Sequence, residues 1–68
     1  MGNYRITIKG RLTERFTAAF VGMRLVPGPS RTTLVGAIKD QAHLFGVLER
    51  IRSLGLDLIS VEPEDEPT

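Results

Sequence analysis

Apolar and polar residues alternate along residues 3–12, "NYRITIKGRL". Tyr4, Ile6, Ile8 and Leu12 fall on one side, and Arg5, Thr7, Lys9 and Arg11 on the other. This period of two predicts a strand with one buried face. Gly10 stands where a bulge or a close backbone approach is expected. The period changes in "TERFTAAFVG", residues 13–22. Thr13 reads as an N-cap, with Glu14 near the positive end of the helix dipole. Phe16, Ala19, Phe20 and Met23 then follow the i, i+3, i+4, i+7 rule, which predicts a short helix ended by Gly22.

"MRLV" predicts a brief strand, and the "PGPS" after it is the strongest breaker in the chain. Pro27 and Pro29 donate no ladder hydrogen bond, so this strand belongs at an edge. "RTTLVGAI" predicts a further strand, with Thr32, Leu34, Gly36 and Ile38 inward and Arg31, Thr33, Val35 and Ala37 outward. A second helix runs from an Asp40 cap to Gly55, the left-handed residue that closes it. Leu44, Val47, Leu48, Ile51 and Leu54 form its apolar stripe, with Phe45 at the margin and Arg50 and Arg52 in the last turns, where the dipole favours cations. "LDLISVE" is the final strand, stopped by Pro63.

The order strand, helix, strand, strand, helix, strand predicts an α+β, ferredoxin-like βαββαβ fold: a four-stranded antiparallel sheet with two helices on one face. A crossover between parallel strands takes a dozen or more residues, and Leu12 to Gly22 barely suffices. The alternative is a β-hairpin followed by β-α-β. Residues 1–62 are expected to form one domain and residues 63–68 a disordered acidic tail, since prolines and charges dominate them.

With 68 residues and no cysteine, the chain has neither a disulfide nor a zinc-finger pattern to reinforce a small core. Tight packing or a partner chain must supply the difference. No apolar run is long enough to cross a bilayer, and "MGNYRITIKG" has no signal-peptide core, so the expectation is a cytoplasmic protein without a membrane partner. Charge is uneven. Residues 1–61 carry nine Lys or Arg against Glu14, Asp40, Glu49 and Asp57, giving +5, while Glu62, Glu64, Asp65 and Glu66 give the end of the chain −4.

Few residues here offer reactive chemistry. His43, the only histidine, falls in the first turn of the second helix, beside its apolar stripe and without a serine or cysteine motif. It reads as a boundary residue of the helix start, with general acid–base work as its alternative role. No metal or cofactor site is expected, and "GPSRTT" lacks the Gly-Lys-Ser/Thr of a phosphate loop. The basic residues are more informative. With the first and third strands central, Arg5, Lys9, Arg11 and Arg31 point away from the helices, with Arg24 at the edge nearby, and become anion-binding candidates. RNA-binding sheets stack bases on aromatic rings of their central strands. Tyr4 has the wrong parity for this, which argues against nucleic acid. Ala42, Gly46 and Ser53 lie opposite the second helix's apolar stripe, where small residues admit another backbone. Together with Val35 on the outer sheet face they are the candidates for oligomer contact.

The segment "DQAHLFGVLERIRSLGLDLISVEP" resembles a group of short uncharacterised actinobacterial proteins. The resemblance rests on Asp40, Gln41, Leu44, Gly46, Leu48, Arg50, Ile51, Arg52, Leu54, Gly55, Leu56, Leu58, Ile59, Ser60 and Val61, with "TTLVG" (Thr32 to Gly36) upstream. It covers about the C-terminal half of the chain, and more loosely Arg11, Leu12 and Phe20. It implies kinship and no activity. The expectation is therefore a small non-enzymatic module that self-associates into a homo-oligomer, or meets another protein. The rivals are an anion or nucleic-acid binder, and an enzyme using His43 at a subunit boundary.

Overall fold

Ile6 and Ile8 are fully enclosed, and the position of their strand is the reason. β1 (Gly2–Lys9) lies between β3 (Arg31–Ile38) and β4 (Leu58–Pro63), with β2 (Met23–Pro27) on the far side of β3. All three pairings of the sheet, ordered β2-β3-β1-β4, are antiparallel. This computed structural model describes residues 2–12 and 14–64, and of residues 14, 15 and 17 the backbone alone. Thr13, the expected N-cap, the Glu14 side chain and tail residues 65–68 lie outside the described residues. Pro27 ends an edge strand, as a residue without an N–H requires.

The α+β class and the antiparallel sheet agree with the sequence pattern, but the expected pair of helices does not form. The only α-helix among the described residues is α1 (Gln41–Ser53). The first crossover is instead a 3-10 helix, Glu14–Phe20. Register supplies the physical reason. β2 opens with Met23 opposite Gly36, which pairs with Tyr4 on its other side. A chain leaving β1 at Lys9 must therefore return past five residues of strand, about 17 Å at roughly 3.4 Å each. Seven residues span about 14 Å as a 3-10 helix and about 10 Å as an α-helix. The more stretched winding covers most of the distance and leaves less to the flanking residues, and it still buries Phe20 against Met23 and the core.

α1 has both of its expected ends. Asp40 is extended and its side chain accepts the backbone N–H of His43 at 2.8 Å. At the other end Gly55 has φ +75°. Its N–H donates to Arg52 O, and the N–H of Leu56 donates to Ile51 O. This is the paired bonding of a Schellman close, in which a left-handed residue satisfies the last carbonyls. Val47 and Ile51 are buried with Ile6, Ile8, Leu34, Ile38, Phe20 and Met23. Leu44 and Leu48 pack at their margin, while Leu54 and Phe45 remain exposed.

Two residues of β3 hold the neighbouring elements close. A Cβ on Gly36 would lie 2.8 Å from the carbonyl oxygen of Gly22 and 3.0 Å from Met23 Cα. Glycine is what lets the turn into β2 pass over the strand. Thr32 is the one buried polar side chain among the described residues. Its Oγ1 donates to Gly10 O at 2.9 Å and accepts the Leu12 N–H at 3.2 Å, tying the exit of β1 to β3. Gly10, at φ +88°, turns the chain there and donates to Ser30 O. A Thr32→Val protein keeps the shape but strands both groups, and is expected to lose about 1–3 kcal/mol of stability in urea unfolding. Thr32→Ser, which keeps the hydroxyl, should lose less; equal losses would deny the hydroxyl this role.

Candidate functional site

His43 is half-buried at the start of α1. Its ring Nδ1 accepts the backbone N–H of Lys39 at 3.0 Å while its own N–H is held by Asp40. The ring thus folds back over the helix entry and leaves the proton on Nε2. No carboxylate or hydroxyl among the described residues hydrogen-bonds the ring, whose hydrogen-bond partner is the Lys39 N–H. The ring borders a cleft of about 340 Å³ between α1 and the 3-10 segment, along with Ala18, Phe20, Val47 and Arg50. Among the described residues no three His, Asp or Glu side chains gather to hold a metal ion. Nor is any helix long and apolar enough to cross a membrane.

Of the other candidates, Gly46 lies on the same side as His43. It lines that cleft and the shallower one beside it, which Ser53 and Leu54 border. A Cβ on Gly46 would meet nothing within 4 Å, so no contact within the chain requires glycine there. Ser53 is exposed and its hydroxyl donates to Arg50 O. Ala42 is also exposed.

Register divides the basic residues of the sheet between two places. Lys9 faces Arg31 directly across β1 and β3, with both exposed. Arg5 lies four residue pairs away on the same face, opposite Val35 on one side and Glu62 on the other, and Val35 in turn faces Arg24. Arg11 is exposed beyond the end of β1. The expected basic patch is therefore two cationic pairs, with the threonines Thr7 and Thr33 between them. One pair is partly neutralised: Arg5 Nη2 is 3.2 Å from Glu64 Oε2. Glu64 is held there because its backbone N–H donates to Asn3 O, continuing the path of β4 past Pro63.

An apolar groove lies elsewhere, on the flank where α1 overhangs β4. Phe45, Leu48, Ile51, Leu56 and Leu58 line a volume of about 410 Å³, and Glu49 and Arg52 rim it. Phe45 is 58% exposed, Leu58 47% and the neighbouring Ile59 44%. The sheet makes this surface through a change of register. Ser60 pairs with Thr7 but Leu58 pairs with Ile8, so Ile59 is an extra residue. The bulge sets Leu58 on the helix side with Ile8, at the rim of the core. Phe45 was legible as a margin residue. Leu58 and Ile59 were not, because their exposure depends on the bulge.

The rim is a well-formed ion pair. Arg52 donates to Glu49 through Nη2 at 2.6 Å and Nε at 3.2 Å. Chiefly through these hydrogen bonds, and next through its charge, the Arg52 guanidinium holds the Glu49 carboxyl below the usual glutamate range. The pair's contribution is therefore present at neutral pH and lost as pH falls through the lowered value. Carboxyl NMR should show Glu49 titrating lower in the wild-type protein than in Arg52→Gln. An unchanged midpoint would mean the pair is not formed in solution.

The sequence profile of a family described as "Domain of unknown function (DUF8691)" matches residues 3–62. Neither curated proteins nor solved structures give a match to the chain. The match runs from the first residues of β1 to Glu62 in β4, taking in every element described above, and the chain accordingly belongs to the DUF8691 family.

Proposed function

We propose that this chain is a non-enzymatic interaction module that pairs with a second copy of itself through the α1–β4 flank. The observation that carries this reading is the exposure of Phe45 and Leu58 in an apolar groove, with exposed Ile59 next in sequence, on a domain with a small core. Short chains gain stability by burying such surface against a partner. Charge favours a like partner. The rim carries one acid and one base, so across a two-fold axis Glu49 of one copy meets Arg52 of the other without net repulsion. The open sheet face is less suited to self-pairing, since it would set Arg5, Lys9, Arg24 and Arg31 against their own copies. We further read the architecture as a ferredoxin-like variant whose first helix is drawn out into a 3-10 turn, in a cytoplasmic protein.

A second reading, anion or nucleic-acid binding through the open face, draws on Lys9 and Arg31, neither of which has an acidic partner among the described residues. Against nucleic acid, Tyr4 packs toward the core and β1 and β3 present no ring outward for stacking. An enzymatic role for His43 draws no comparable support, because its Nδ1 is engaged at the helix start.

Light scattering over a wide concentration range tests the proposal. The wild-type mass should rise toward twice the chain mass, and Leu58→Glu should weaken association roughly tenfold or more, as loss of a central apolar contact does. A strict monomer at millimolar concentration would overturn it. Gly46→Ala separates the two flanks of α1. It should raise stability by about 0.5–1 kcal/mol and leave association unchanged; weakened association would move the interface to the Gly46 side.

A further inference from the structure

The geometry points to a separate binding site on the open face of the sheet: a cleft for a small carboxylic acid with an apolar body, for which Glu64 competes at Arg5. The cleft has a volume of about 280 Å³ and is lined by Arg5, Arg24, Val26, Thr33, Val35 and Glu64. The strand register builds it. Arg5, Val35 and Arg24 form one row across β1, β3 and β2, and Thr33 and Val26 are paired in the next. Two guanidiniums thus rise from one face with their Cα atoms roughly 10 Å apart, two strand spacings, and with a valine between them. Their apolar floor is Val26 and Val35.

The chain itself indicates the ligand's head group. Glu64 reaches this cleft as a carboxylate on a short arm, its backbone anchored to Asn3 O at 2.8 Å and its Oε2 3.2 Å from Arg5 Nη2. It engages Arg5 alone. Arg24 has no ion-pair or hydrogen-bond partner among the described residues. A ligand carboxylate seated between the two arginines gains both, and arginine forks suit carboxylates in particular. Size selects a small acid, since the volume lies at the lower limit of the roughly 300–1,000 Å³ usual for small-molecule sites. Charge disfavours a polyanion, because Glu62 stands opposite Arg5 at the β4 side.

Glu64 is then a built-in competitor. A ligand binds only the fraction of molecules in which Arg5 is released, and its apparent affinity falls by that fraction. An exposed ion pair changes such a fraction by only a few fold, so Glu64 tunes the site without abolishing it.

Titration of the full chain with benzoate, followed by NMR, tests this. Acetate supplies the head alone and benzyl alcohol the body alone. Benzoate should shift the Arg5, Arg24, Val26 and Val35 signals together and to saturation, with both partial probes several-fold weaker. Glu64→Gln should tighten benzoate about two- to fivefold, and Arg24→Gln should weaken it about tenfold. Both substitutions are of surface side chains, the same spectra report whether the fold persists, and neither outcome depends on self-association. Absence of a saturable shift in the wild type, acetate binding as tightly as benzoate, or an unchanged affinity in Glu64→Gln would overturn the assignment.

Discussion

β1 has a bonded strand along each of its edges, so each of its side chains must commit to one face of the sheet. Ile6 and Ile8 take the covered face and lose all contact with water, while Arg5 and Lys9 take the other. Burying two isoleucines supplies several kilocalories per mole of transfer free energy at about 1.5–3 kcal/mol each. A slip of one residue would place charges in the core instead. The same constraint passes to the neighbours through register. It aligns Leu34 with Ile6 and Val61 with Ile6 on the covered side, and Val35 and Glu62 with Arg5 on the open side.

From that division follow surfaces of different character. The open face is polar, with arginines over a valine floor and a carboxylate folded back onto one of them. The α1–β4 flank is apolar, because one helix and a 3-10 segment leave part of the sheet's covered side at the margin. Hydrophobic contact suits the flank. Charge-assisted hydrogen bonding, which carries orientation as well as energy, suits the open face.

Much of this was legible along the chain. The alternation in β1 and β3, the Asp40 and Gly55 ends of α1, and the proline-limited β2 all rest on forces acting over a few residues. The 3-10 winding was not. Phe16, Ala19, Phe20 and Met23 satisfy spacings of three and four alike, and the choice was made by a return distance that only the sheet register defines. The two cationic pairs were hidden for a similar reason. Arg5, Lys9 and Arg31 share a face, but their grouping depends on which residues stand opposite. The Arg5–Glu64 contact joins residues near opposite ends of the chain. His43 was legible as part of a helix start, though its hold on the Lys39 N–H follows from ring placement, which spacing does not reveal.

The extra residue at Ile59 bears on the proposed self-pairing. An unbroken outer strand is a template onto which foreign strands add one after another, the geometry behind fibrils. Here the outer strand is interrupted by its bulge and carries Pro63, which has no N–H to donate, and the opposite border strand ends at Pro27. Each border strand thus carries a feature that works against backbone-to-backbone growth. For the proposed self-pairing, such borders would favour closed, countable assemblies over open-ended polymers.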